Sequence, residues 1–174
     1  MAWTWSLAHP LKDVDYIVDM AQRHFEHEVS GVLTTDPAVM KHHTTVSLTN
    51  QLFDPYKEFI AVAKDDPYSI LGFCWFDRGG YTTYSREEIS NARFHHCDMD
   101  LPVRTRVRLI NEMIDQHILW ASKCGVPVVC STSIRGDNEG FMRMHKKRGF
   151  QVSGSYAWQR TEDGIRMLQG KERV

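Results

Sequence analysis

The sequence contains no apolar run long enough to cross a membrane. Its longest such run, Ile70–Phe76, is interrupted by Gly72 and falls far short of the ~20 residues that span a bilayer. The N-terminal residues Met1–Ser6 have neither the basic start nor the apolar core of a signal peptide. We therefore expect a cytoplasmic protein with no membrane partner.

An excess of charge of one sign is also missing. The chain has 21 lysine and arginine residues against 22 aspartate and glutamate residues, which gives a formal net charge of −1. Without an overall basic field, the protein has no general means of holding nucleic acid. The composition therefore predicts no nucleic-acid partner.

Cysteine and histidine form no recognisable metal or disulfide pattern. The four cysteines include no Cys-x-x-Cys pair in a chain of 174 residues, which predicts reduced thiols in the cytoplasm. Nine histidines are many, but the adjacent pairs His42-His43 and His95-His96 would point apart on a helix or strand. We therefore expect no metal site.

The residues that are present predict one folded domain over residues 1–174. Hydrophobic residues make up 42% and charged residues 25% of the chain, values that exclude disorder and a fibrous repeat. No internal repeat, linker or block of like charge interrupts the sequence, so nothing marks a domain boundary.

Apolar spacing and turn residues predict elements in the order β-α-α-β-β-β-α-β-α-β-β. Asp36-Pro37 is typical of a helix start, and Gly125 is typical of a helix end. Val126–Ser133 indicates a strand buried on both faces, whereas Asp77–Glu87 indicates a loop. The alternation predicts an α/β fold of the mixed α+β kind, with a mixed, mostly antiparallel sheet of about six to seven strands flanked by about four helices. The other predicted strands are Trp3–Ala8, Phe59–Ala63, Ile70–Phe76, Ile89–Met99 and a closing hairpin of Phe150–Arg160 and Ile165–Leu168.

One segment carries a family resemblance. Residues 138–150 read Asn-x-x-Phe-x-x-Met-His-x-Lys-x-Gly-Phe, which resembles the Asn-x-x-Ala-x-x-Leu-Tyr-x-Lys-x-Gly-Phe segment of the GCN5-related N-acetyltransferase family. The predicted topology resembles that family over Trp3–Gln169. The resemblance implies an acyl-CoA N-acyltransferase-like fold, acetyl-CoA as cosubstrate, and an amine-bearing small molecule or protein as acceptor. It implies direct attack of the amine on the thioester.

The family's pyrophosphate loop is matched less closely. Pro102 corresponds to the proline that precedes the loop, but Arg108 and Ile110 stand where the family has glycines. Arginines in the first turn of a helix oppose its dipole, so they indicate either a bound anion or a solvated basic turn. The cofactor-binding residues that the resemblance implies are Asp98, Met99 and Asp100 through their backbone, Arg104, Thr105, Arg106, Val107, Arg108, Leu109 and Ile110 around the pyrophosphate, and Asn138.

The resemblance also implies catalytic residues. His145 occupies the position of the family's tyrosine, which gives a proton to the departing thiolate, and imidazole can do this near neutral pH. Glu88, His96 and Asp98 are candidates for the base that takes the proton of the amine. For each residue the alternative is a polar side chain without a catalytic role.

The sequence is also compatible with a second function. The missing glycines favour a non-catalytic module that keeps the acetyltransferase-like fold for protein interaction, whereas the segment 138–150 favours the enzyme. A homodimer is also left open.

Overall fold

The structure is a computed structural model that describes residues 2–29 (side chains to residue 25), 34–133, 138–153 and 165. Its contacts form two compact units, Met1–His24 with Asp36–Ser133, and Phe25–Thr35 with Ile134–Val174. The single domain over residues 1–174 stays a prediction. None of the helices in the described ranges is long and apolar enough to cross a membrane.

The described residues form one five-stranded sheet in the order β1-β2-β3-β4-β5 and four helices. Strands β1 to β4 pair antiparallel, and β4 and β5 pair parallel. This mixed sheet with flanking helices confirms the predicted fold class. The described residues form five strands, fewer than the six to seven predicted. The strands are β1 Thr4–Leu7, β2 Glu58–Lys64, β3 Gly72–Gly80, β4 Ile89–Cys97 and β5 Val128–Ser131; the helices are α1 Val14–Val29, α2 Pro37–Phe53, α3 Val103–Lys123 and α4 Glu139–Lys146.

The predicted closing hairpin lies largely outside the described residues. Residues 150–153 are described and are not in a strand. Ile165 is helical, which contradicts the extended conformation predicted for that position.

Local signals place several element ends where the sequence predicts them. The carboxylate of Asp36 accepts the backbone N–H groups of Ala38 (2.9 Å) and Val39 (3.3 Å), and Pro37 follows in the first turn of α2. Gly125 has a φ of +70°, a left-handed conformation that ends a helix at little cost for glycine.

The two faces of the sheet bury different partners. On one face, Ile17 and Met20 of α1 belong to a core cluster with Phe73 of β3. On the other face, His117 of α3 stacks on Phe76 of β3 with ring centroids 4.3 Å apart. Helix α3 connects β4 to β5 and contacts β3, β4 and β5.

Two strand predictions are corrected. The predicted loop Asp77–Glu87 begins too early, because β3 continues to Gly80 and Asp77 is opposite Asn91 of β4. The predicted strand Val126–Ser133 shortens to Val128–Ser131, and its residues are half-buried. Strand β5 ends the sheet formed by the described residues, so it is less enclosed than a central strand.

Candidate active site

The parallel strands β4 and β5 stop pairing before β4 ends. Their register runs from Ile89 opposite Val128 to Ala92 opposite Ser131, where β5 ends. Strand β4 continues through Arg93–Cys97. We call this stretch of β4, together with the end of β5 at Ser131, the β4–β5 fork.

A β-bulge lies where the fork begins. Trp75 of β3 is opposite Phe94, and the next residue, Phe76, is opposite Ala92. Arg93 is therefore an extra residue in β4. A bulge removes backbone groups from the regular ladder and turns the strand, so the bulge reorients β4 at the point where β5 leaves it.

Helix α3 begins beside the same end of β4. Pro102 is the N-cap residue and supplies no side-chain cap. Its carbonyl accepts the N–H groups of Thr105 (2.9 Å) and Arg106 (3.1 Å). The N–H groups of Val103 and Arg104 precede these and lie among the amides that a helix leaves unpaired at its start. Residues Thr105 to Ile110 are helical, and the unpaired amides lie in the first turn of α3; binding of a pyrophosphate by Thr105 to Ile110 stays a prediction.

Arg108 and Ile110 occupy the two positions where the family has glycine, and their side chains turn away from the start of α3. Ile110 is buried, as is Leu109. Arg108 donates from Nε to Glu112 (2.9 Å), and its guanidinium lies 4.2 Å from the ring centroid of Trp3. Each of these side chains is engaged within the protein, and its expected contact with the cofactor stays a prediction.

The other two arginines differ in their surroundings. Arg104 is exposed. Arg106 reaches the sulfur of Met99 from Nη1 (3.5 Å), and its Nε is buried with no hydrogen-bond partner among the described residues. A buried guanidinium N–H of this kind is suited to an anion.

The backbone after β4 is already used. Asp98 donates its N–H to Leu71 O (2.9 Å), and its own carbonyl accepts the N–H of Leu101 (3.3 Å). Asp100 donates its N–H to the Asp98 carboxylate (2.9 Å). These backbone groups of Asp98 and Asp100 are engaged within the protein, and the expected pairing of a pantetheine arm with this stretch of backbone stays a prediction.

His96 belongs to a buried histidine pair. Its Nε2 lies 3.0 Å from Nδ1 of His24 on α1, and Nε2 of His24 lies 3.8 Å from the carboxylate of Asp98. Burial lowers the pKa of His96 to about 4. Burial and the neighbouring His96 also lower the pKa of His24. Both rings are therefore favoured in the neutral form at neutral pH.

Glu88 lies in an ion pair away from this cluster. Arg78 donates to both of its carboxylate oxygens (2.7 and 2.6 Å), and Gly79 N–H donates to one of them (2.9 Å). The hydrogen bonds from Arg78 lower the pKa of Glu88. A carboxylate held in this way is a poor base.

His95 is a residue that the sequence analysis did not select. It lies in the fork, and its Nδ1 is 3.5 Å from the hydroxyl of Ser131 at the end of β5. The alternation of side chains along a strand correctly predicted that His95 and His96 point to opposite faces of the sheet. Nothing in the sequence pairs it with Ser131, because the two residues are brought together by a parallel crossover.

His145 lies on α4 in the second unit, and its ring packs against two aromatic rings, those of Phe141 and Phe150. Its Nδ1 is 3.0 Å from the carbonyl oxygen of Phe141, and its ring centroid is 4.9 Å from that of Phe150. Burial lowers its pKa, with a smaller contribution from Arg148. Asn138 is the N-cap residue of α4 and makes no side-chain cap.

Comparison with known proteins identifies the fold. No protein-family model matches the sequence, and neither does any curated protein. Glucosamine-6-phosphate N-acetyltransferase from Arabidopsis thaliana is 8% identical, with a TM-score of 0.65 over 92% of this chain and 99% of that one. The chain has the GCN5-related N-acetyltransferase fold. A predicted acetyltransferase from Clostridium acetobutylicum, solved with acetyl-CoA, is 14% identical with a TM-score of 0.65 over 93% and 98% of the two chains.

The chain is also similar to a transcriptional regulator from Bacillus halodurans C-125, which is 13% identical with a TM-score of 0.63 over 91% of this chain and 99% of that one. A shared fold at such identities does not name a reaction. Within this acetyltransferase fold, the first unit brings His96 and Asp98 together with His24, and it keeps Glu88 with Arg78. Among the described residues, no cluster of three or more histidine, cysteine or acidic side chains could hold a metal ion.

Proposed function

We propose that this protein is an acetyl-CoA-dependent N-acyltransferase that transfers the acyl group to a primary amine. The β4–β5 fork carries the proposal. Pairing ends at Ala92 and Ser131 while β4 continues to Cys97, which offers a strand edge beside the start of α3. Ligands of open α/β sheets bind at the carboxyl ends of parallel strands, and this is the carboxyl end of the parallel pair.

The start of α3 fits the anionic part of CoA. A helix N-terminus favours negative charge through its unpaired N–H groups and its dipole. The N–H groups of Val103 and Arg104, the exposed guanidinium of Arg104 and the buried Nε of Arg106 are the proposed contacts. The argument for a non-catalytic module weakens, because the side chains of Arg108 and Ile110 turn away from this turn.

The proposed reaction is direct attack of a neutral amine on the thioester carbonyl. The C–N bond forms, the C–S bond breaks, and the amine loses one proton while the thiolate gains one. We propose His95 as the base that accepts the proton of the amine, since it lies in the β4–β5 fork beside Ser131. His96 and Asp98 stay alternative bases, and the ion pair of Glu88 argues against it.

His145 stays the proposed proton donor to the thiolate. Because a carbonyl oxygen only accepts, its Nδ1 carries the proton that faces Phe141. A neutral His145 would then have a lone pair at Nε2. Donation from His145 therefore requires the imidazolium form.

Thermal unfolding with and without CoA tests the proposal. CoA at one hundred times its dissociation constant should stabilise the fold by about 2.7 kcal/mol, a rise in Tm of roughly 5–10 °C for a domain of this size. Arg104→Ala should reduce this rise. Arg108→Ala is the matched control and should keep it, since Arg108 is bound to Glu112 and Trp3.

A second assay tests the chemistry. Release of free thiol from acetyl-CoA in the presence of an amine mixture is expected only if the fork binds the thioester productively. If millimolar CoA, acetyl-CoA and longer acyl-CoA all leave the Tm unchanged, the acyltransferase proposal is wrong and the interaction module is supported. A CoA-dependent rise without thiol release would overturn catalysis alone.

A further inference from the structure

Arg93 is the first residue of the β4–β5 fork and the extra residue of its bulge. Bulges are frequent next to active sites, where they direct one side chain out of the regular alternation of the strand. The side chain of Arg93 is half exposed (50%), and the proposed reaction gives it no proton to transfer. A cation is therefore accessible at the point where β4 and β5 separate.

Two residues of β3 hold the guanidinium of Arg93. Its Nε donates to a carboxylate oxygen of Asp77, and its central carbon lies 5.5 Å from the ring centroid of Trp75, within the range of a cation–π contact. Trp75 and Asp77 are two positions apart on one strand, so their side chains share a face of the sheet. The guanidinium is thus held at its Nε edge and over an aromatic ring.

The ring under Arg93 is itself fixed in place. Trp75 is 3% exposed, and its indole N–H donates to the carboxylate of Glu58 on β2 (3.1 Å). Its ring centroid lies 5.8 Å from that of Phe94. A side chain whose support is buried and hydrogen-bonded is oriented before any ligand arrives.

The outer end of the Arg93 guanidinium is not used. Nε is bound to Asp77, whereas Nη1 and Nη2 make no hydrogen bond with the described residues. These two nitrogens carry four of the five N–H groups of the guanidinium. They lie in one plane and match the two oxygens of a carboxylate, or two oxygens of a phosphate.

The charges on this face of the sheet favour the carboxylate. Glu58 lies opposite Asp77, so Arg93 shares the face with two acids. One cation with two carboxylates has no surplus positive charge, and a dianionic phosphate would be repelled more strongly than a carboxylate. A zwitterion fits this charge best, because its ammonium group is balanced by the acids while its carboxylate binds Arg93.

We propose that Arg93 binds the carboxylate of the acceptor, so that the acceptor is an amino carboxylic acid. The assignment rests on the proposed function, because it takes the amine of this molecule as the group that is acylated. Arg93 would then determine specificity by contacting the substrate, without a part in proton transfer. Binding of the carboxylate itself needs neither CoA nor catalysis.

Titration of the CoA-free protein with amino acids tests the site. The probes are glycine, β-alanine and 4-aminobutanoate, each paired with the amino alcohol of the same chain length. The readout is the ¹⁵Nε chemical shift of Arg93, identified as the signal that is missing from the spectrum of Arg93→Lys. We expect a saturable shift with at least one amino acid and none with its amino alcohol. Aminoethyl phosphate should bind more weakly than that amino acid.

A kinetic comparison tests the role in specificity. Arg93→Gln should raise the KM of the preferred amino acid roughly tenfold or more, since a charge-assisted contact is lost, and should keep the CoA-dependent rise in Tm. Arg86→Gln is the matched control, because it removes the same charge from an exposed residue of the loop between β3 and β4. Its KM should equal that of the unaltered protein.

The carboxylate site would be overturned if none of the amino acids shifted the Arg93 signal, or if the paired amino alcohols shifted it equally. A response to aminoethyl phosphate alone would overturn the substrate class. These results leave the CoA-dependent rise in Tm and the release of thiol unaffected. Loss of the CoA-dependent rise with an intact Arg93 response would instead overturn the proposed function and keep carboxylate binding.

Discussion

Burial of single histidines decides which chemistry they can perform. The pKa of His24, His96 and His145 is lowered in each case mainly by burial. For His145, burial lowers the pKa most and Arg148 lowers it further, because the rings of Phe141 and Phe150 pack against the imidazole.

His145→Phe tests the proposed proton donor. We expect kcat to fall by roughly 10²–10⁴ while CoA affinity changes by a few-fold at most. Since donation requires the imidazolium, kcat of the unaltered enzyme should also decline as pH rises through the lowered pKa of His145. Unfolding curves of the variant serve as the control for folding. An unchanged kcat would remove His145 from the mechanism.

At the scale of elements, close packing at the start of β3 positions the end of β4. Gly72 is opposite Cys97. A Cβ at Gly72 would lie 2.7 Å from the backbone oxygen of His96 and 2.9 Å from the methyl carbon of Met113 on α3. Strand β4 and helix α3 therefore approach each other here as closely as a residue without a side chain allows.

Gly72→Ala should lower the free energy of unfolding by roughly 1–3 kcal/mol, since the added methyl group overpacks this contact. Gly140→Ala on α4 is the comparison, because a Cβ there meets nothing within 4 Å. Alanine in a helix should instead stabilise by about 1 kcal/mol. Urea unfolding of both variants measures the difference, and equal stabilities would contradict the packing argument.

For the whole molecule, the buried histidines link folding to pH. His96 has a pKa of about 4 in the folded protein, whereas an unfolded histidine titrates near 6.5. Between these values the unfolded chain binds more protons, so stability rises with pH. The contribution of His96 is complete above about pH 6.5 and is lost as the pH falls towards 4.

We expect the unaltered protein to lose about 2 kcal/mol of stability through His96 between pH 7.5 and pH 5. Urea unfolding at the two pH values measures the loss. His96→Gln should flatten this dependence, and His42→Gln should retain it because His42 is exposed on α2. Equal stabilities of the unaltered protein at the two pH values would contradict a neutral, buried His96.

The sequence alone predicted what depends on neighbouring residues. Asp36-Pro37 and Gly125 marked helix ends because capping acts within one turn. Residues 138–150 indicated the fold class through their resemblance to a family segment. The placement of His96 on β4 also followed from the local pattern.

Only the tertiary structure decided which distant residues meet. His24 contacts His96 across 72 positions, and Arg108 turns to Trp3 of the N-terminal segment rather than to the start of its own helix. The extension of β3 to Gly80 depends on pairing with β4. Side-chain direction and strand length are set by long-range packing and burial, which local periodicity does not contain.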